Sequence, residues 1–188
     1  MLKRLLPSLL LLPSLLLLRA APPAVAKAPP AAPAAAPAST AVYRLHLYAL
    51  HTGEQVNVVY RVGNQYVPGA VAKINYLLRD WRTGTVKDYS LKELNLLHAL
   101  MVRLGRPDGV IDIVCGYRSP ATNAFLRATT SGVALHSQHI LAKAIDIRVR
   151  GGGLAGLRAA ALALHRGGVG FYPESDFVHV DVGPVRRW

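Results

Sequence analysis

Ser137-Gln138-His139-Ile140-Leu141-Ala142-Lys143-Ala144-Ile145-Asp146, and 33 residues after Asp146 the histidine of Phe177-Val178-His179-Val180-Asp181, decide how this chain is read. Side chains alternate across a strand, so Ile145 and Ile147 facing a core put Asp146 on the other side. The valines Val178 and Val180 likewise leave His179 on the opposite face. If the two strands are neighbours, Asp146 and His179 offer an oxygen and a nitrogen to one point. His139, in the loop before the first strand, can fold over that point. Two imidazoles and one carboxylate suit a tetrahedral Zn²⁺ with one position open, the arrangement of catalytic rather than structural zinc. On spacing alone, a hydrogen-bonded His–Asp pair at a sheet end fits the same residues.

Working outward, Val42–Tyr48 and Gln55–Val62 alternate like strands around a Thr52-Gly53-Glu54 turn, which predicts a hairpin. Val71, Ile74, Leu77, Leu78 and Trp81 have helical spacing. Ser90 and Glu93 read as a capping box for a second helix with Leu91, Leu94, Leu97, Leu100, Met101 and Leu104 on its apolar face. Val110–Cys115 is a short strand, and Pro120 opens a helix to Arg127. Ile145–Val149, a helix over Leu154–His165 and a strand over Val178–Val182 complete the domain. Helices and strands mix without a strict βαβ rhythm, so the class is α+β. Gly151-Gly152-Gly153 lacks the Lys-Ser/Thr of a phosphate loop and reads as a connector. His46, His51, His98 and His165 fall in hairpin or helix contexts and read as structural or surface residues.

The N-terminal part is of another kind. Lys3 and Arg4 precede a Leu-rich run, Leu5–Leu18, too short for the roughly 20 residues of a membrane span. With the small-residue site Ala24-Val25-Ala26 this predicts a signal peptide over 1–26, hence export to the periplasm or cell envelope. No membrane span is expected after cleavage. Ala and Pro fill 16 of the 18 positions from 21 to 38, so 27–40 is read as an extended linker to one domain over 41–188. Cleavage removes Lys3, Arg4 and Arg19, which lowers the 22 basic residues to 19 against 10 acidic ones. Such a charge outside the cytoplasm suits an anionic wall polymer. Nucleic acid is not expected, since no basic block with interleaved aromatics is present. Cys115 is the single cysteine, so no disulfide scaffold exists. A monomer is expected.

Cys115-Gly116-Tyr117-Arg118-Ser119-Pro120-Ala121-Thr122-Asn123, with Ser137-x-His139, Ala144-x-Asp146 and Phe177-Val178-His179-Val180-Asp181, resembles the zinc D-Ala-D-Ala peptidase clan. Within the clan the YcbK-like family, that of murein endopeptidase K, is the better match. The likeness also takes in Leu50–Glu54, Ile74–Asp80, Gly167–Pro173 and Gly183–Trp188. It implies the compact hedgehog/DD-peptidase fold, a small mostly antiparallel sheet flanked by helices. It further implies one zinc held by His139, Asp146 and His179, and cleavage of peptide bonds in peptidoglycan stems or cross-links. Two departures stand out. Ala142 takes the place of the clan's Gly, at a cost of roughly 1 kcal/mol if the backbone there needs a positive φ. Cys115 takes the place of the family's usual Ser, as buried filler or as a stray ligand.

A zinc peptidase needs a base for its water. Asp176, three residues before His179, matches the acid-x-x-His of related branches. Asp181, two residues after His179 and about 7 Å along the same strand face, matches the family's His-x-Asp and is slightly preferred. Its alternative role is to orient a ligand from behind. Arg118 is placed to hold a substrate carboxylate or the developing oxyanion, with a structural ion pair as the alternative. Tyr117, Ser119 and Asn123 should fix its turn, and Tyr117, Ser137 and His136 could meet substrate. The expected protein is an exported zinc metallopeptidase acting on peptidoglycan, with a D,D-carboxypeptidase or a silent wall-binding module as alternatives.

Overall fold

Strand alternation and helical spacing become elements nearly where expected in the computed structural model, which describes residues 40–188. The expected signal peptide and the linker up to residue 39 lie outside the described residues. Val42–Ala49 (β1) and Gln55–Val62 (β2) form the hairpin, and the two-residue strand Gln65–Tyr66 (β3) extends it. Helices Pro68–Leu77 (α1) and Leu91–Arg103 (α2) then cross to Val110–Cys115 (β4), which therefore lies parallel to β1. Pro120–Thr129 (α3) and a 3₁₀ turn over Gln138–Leu141 lead to Ala144–Val149 (β5). Leu154–Leu164 (α4), Gly168–Tyr172 (β6), Phe177–Asp181 (β7) and Arg186–Arg187 (β8) follow.

The described residues build one mixed sheet of eight strands in the order β3-β2-β1-β4-β5-β7-β6-β8. Pairing is antiparallel except for β1 with β4 and β6 with β8. The expected α+β class, a mostly antiparallel sheet with flanking helices, is borne out. α4 packs on α2 and on β5, β6 and β7. Leu94, Leu97 and Leu100 of α2 and Leu157 of α4 join Ile145, Ile147, Val178 and Val180 in the core. Each of those strand residues has 0% exposure, and each burial is worth roughly 1.5–3 kcal/mol. That core face obliges Asp146 and His179 to project from the other one.

Two local expectations fail. Trp81 lies beyond α1, whose last helical residue is Leu77; its indole is exposed and stacks on His51. The capping box does not form either. Ser90 makes no side-chain cap, because the Glu93 amide donates to the Ser90 carbonyl; the Ser90 amide goes to the Ala142 carbonyl, and Glu93 turns inward to complete burial.

Candidate metal centre and cleft

β5 and β7 are direct neighbours, and Asp146 is the cross-strand partner of His179. His139 arrives from the 3₁₀ turn, which Ser137 caps by accepting the His139 amide. The turn closes on Ala142 in the left-handed region, with φ 52° and ψ 45°. The positive φ anticipated where the clan carries Gly is therefore real, and Ala142 adopts it while fully buried.

Three atoms meet. His139 Nε2 lies 3.2 Å from His179 Nδ1 and 3.3 Å from Asp146 Oδ1, and His179 Nδ1 lies 2.9 Å from the same oxygen. A tetrahedral zinc with bonds of about 2.0–2.1 Å sets its ligand atoms about 3.3 Å apart, so this donor set fits the ion. The outer nitrogens are occupied in the way a metal site requires. His139 Nδ1 donates to the Gly116 carbonyl at 2.8 Å, and His179 Nε2 to Asp181 Oδ2 at 3.0 Å. The Arg118 amide donates to the His139 carbonyl, so the Gly116–Arg118 turn grips this histidine by its ring and its backbone.

Burial and charge act together here. Burial raises the pKa of Asp146, but the charge of His139 and bonds from both imidazoles outweigh it and hold the carboxyl well below its usual range. Burial disfavours charge on His139 as well, yet Asp146 and Cys115 hold its pKa well above the ordinary value. A metal held here would compete with protons for the same imidazole and carboxylate atoms.

The three residues form the floor of a cleft of about 310 Å³ whose walls include Arg118, His136, Ser137, Tyr172, Arg186 and Trp188. The Trp188 indole donates to the Tyr172 hydroxyl at 2.7 Å and lies 5.2 Å from the His179 ring. Its seat is Gly170, where a Cβ would sit 2.7 Å from the indole. A roomier groove of about 530 Å³, lined by residues such as Val56, Ala72 and Tyr76, holds none of these groups.

The expected site residues divide. Arg118, Ser137 and His136 reach the cleft with the three ligand candidates. Arg118 touches Asn123 Oδ1 and Cys115 Sγ through its terminal nitrogens, while its buried Nε has no partner and no carboxylate pairs with it. Tyr117 is buried and absent from the cleft wall, because its ring packs into the hydrophobic core with Lys87 Nζ 5.6 Å from its centroid. Asp181 lies behind His179 rather than over the cleft. Both its oxygens are used, by His179 Nε2, Arg186, and the Gly168 and Gly183 amides. Burial raises its pKa, but these bonds hold it well below the usual range. Asp176 is exposed at a φ of 51°, paired with Arg148 at 3.3 Å, and does not line the cleft.

Three supports were not singled out from sequence. Asp80, 1% exposed, accepts the Ser119 amide at 2.9 Å and so holds the Arg118 turn from below. Burial raises its pKa, but bonds from Ser119, Thr122 and Arg82 bring it down to about 2. Glu93 is fully buried with neither oxygen hydrogen-bonded, and burial with the charge of Asp181 pushes its carboxyl well up. Arg186 joins the cleft wall to Asp181. For Glu93 the available signal was an acid within the Leu-rich run Leu91–Leu97; for Asp80, flanked by Arg79 and Arg82, and for Arg186 there was none.

The family model described as Peptidoglycan L,D-endopeptidase MepK matches residues 37–188. The chain is 40% identical over 139 residues to the probable peptidoglycan L,D-endopeptidase MepK of Haemophilus influenzae, covering 74% of this chain and 75% of that one. It is also 40% identical over 144 residues to the peptidoglycan L,D-endopeptidase MepK of Escherichia coli K12, covering 77% and 79%. No solved structure matches. A match across the whole described domain, its cleft included, shows that the chain belongs to this family of peptidoglycan endopeptidases, as its motifs implied.

Proposed function

We propose that the protein is an exported, monomeric zinc endopeptidase that hydrolyses an L,D bond in peptidoglycan cross-links, with His139, Asp146 and His179 as the metal ligands. The observation that carries this reading is the triangle of ligand atoms, 2.9 to 3.3 Å on a side, at the floor of a basic cleft. The L,D specificity rests on the names of the relatives. Export rests on the leader expected over 1–26. Among the described residues no helix is long and apolar enough to cross a membrane.

Zinc bound here supplies Lewis acidity to the scissile carbonyl and to the attacking water. The chain's residues do the rest. Gly116 and Asp181 fix the ring orientations of His139 and His179, so the ligands are preset before substrate arrives. Arg118, with no carboxylate of its own, offers N–H groups to a substrate carboxylate or to the oxyanion. Asp181 serves as a positioning residue, since its oxygens are saturated behind His179. The proton of the attacking water then falls to a group at the cleft mouth. His136 lines that mouth, and Asp176 would need to give up Arg148 to reach it.

Mass spectrometry of muropeptides before and after treatment with zinc-loaded protein tests the reading. Loss of a cross-linked dimer with release of its two halves is expected. Release of free D-Ala alone would make the protein a D,D-carboxypeptidase, and tight binding without products a wall-binding module.

A further inference from the structure

We propose that the indole of Trp188 is a substrate-binding wall of the cleft, a platform for the aliphatic side chain of a stem-peptide residue beside the scissile bond. This rests on the endopeptidase reading above and deepens it to a residue outside the expected site.

The placement follows from strand register. One row of residues crosses the sheet on the metal-facing side. The β4 ladder shifts between Ile113 and Cys115, so Cys115 stands opposite Asp146; Asp146 pairs with His179, and His179 with Gly170 of β6. Trp188 continues the row, since its amide donates to the Val169 carbonyl and its carbonyl accepts the Phe171 amide, on either side of Gly170. Side chains in one row share a face of the sheet. Between Trp188 and His179 that row holds only a glycine, and a Cβ there would meet the indole at 2.7 Å. The ring therefore lies back across β6 until its centroid is 5.2 Å from that of His179. Gly168 makes the same room for Arg186, which crosses it to reach Asp181.

The ring is held but not covered. Its Nε1 donates to the Tyr172 hydroxyl at 2.7 Å, which fixes the plane, and Tyr172 is itself stacked on Phe177 at 4.5 Å. Trp188 nevertheless keeps 46% exposure on the cleft wall beside the metal ligands. A large apolar surface already fixed in place loses little entropy on meeting a ligand. Its distance from His179 means that whatever packs on it adjoins the bond being cut, so the occupant is a peptide side chain and not the glycan strand. The flat apolar face suits methylene groups.

Steady-state kinetics with a purified cross-linked muropeptide dimer test the wall. In Trp188→Ala, KM should rise about tenfold with kcat within about twofold, because binding shared by ground and transition states is lost. Bound zinc should stay at the wild-type level, and Trp188→Phe, which keeps an apolar face, should restore most of the KM. An unchanged KM in Trp188→Ala overturns the proposal. A fall confined to kcat and bound zinc also overturns it, making the ring a mere support for His179. Fluorescence gives a second readout that needs no turnover. The chain has two tryptophans and Trp81 does not line the cleft, so Trp81→Phe leaves Trp188 as the sole indole. Rapid mixing of that variant with the dimer should change its emission before products form, and an unchanged emission overturns the proposal. If no form of the protein cleaves the dimer, the endopeptidase reading fails and the emission alone decides the wall. The same measurement decides if Trp188→Ala does not fold.

Discussion

The two histidine arms of the centre are held in different ways. His179 lies within β7, laddered to β5 on one side and to β6 on the other. Its ring leans on a buried carboxylate anchored in turn by Arg186 and two backbone amides. His139 stands on a single 3₁₀ turn gripped by backbone groups and closed by an alanine in a left-handed conformation. One arm is set by the sheet and by charge, the other by local geometry under strain. Disturbing the first should therefore act on metal affinity through the charge behind His179, and disturbing the second on placement of one ring.

Removing a ligand breaks the comparison outright. His139→Ala, Asp146→Ala and His179→Ala should each abolish metal-dependent cleavage and reduce bound metal to background, with the domain still folded by circular dichroism. Cleavage surviving in any of them would remove the ligand assignment. Asp181→Asn probes the sheet-held arm. Zinc affinity should fall by about 10–100-fold, with turnover recovering at saturating zinc. Turnover that stays low in excess metal would mean that Asp181 does more than position His179.

The cleft mouth comes next. His136→Ala and Asp176→Asn should differ in kcat, and the variant that loses the acidic limb of the pH profile identifies the base. Asp80→Asn tests the support beneath Arg118 and should cost roughly 2 kcal/mol of stability near neutral pH. The folded pKa of Asp80 is depressed to about 2, so its contribution is full above about pH 4 and lost as pH falls towards 2. The gap between wild type and variant in denaturant melts should close over that window. The smallest effect belongs to the strained arm. Ala142→Gly relieves a positive φ and should stabilise the domain by about 1 kcal/mol at most, because the buried methyl is lost with the strain.

The contrast also explains what could be read without coordinates. Strand parity is a local property, so Ile145, Ile147, Val178 and Val180 predicted the faces of Asp146 and His179 correctly. Parity did not reveal which side of His179 the Asp181 carboxylate takes. That depends on Gly168, Gly183 and Arg186, which surround it through long-range pairing. The bulge before Cys115 reverses parity by a single residue and leaves no mark in composition. Glu93 matched the capping-box pattern, yet its amide goes to the Ser90 carbonyl and its side chain into the core. Strands β3, β6 and β8 escaped notice because two are only two residues long and β6 is interrupted by Gly170.

Trp188 carries a practical consequence. Its amide and carbonyl are both bonded to β6 and its ring closes the cleft beside His179. Affinity handles or fusion partners joined after Trp188 would emerge at the mouth where cross-links must enter. Expression for enzymology should therefore leave the chain after Trp188 free of any handle.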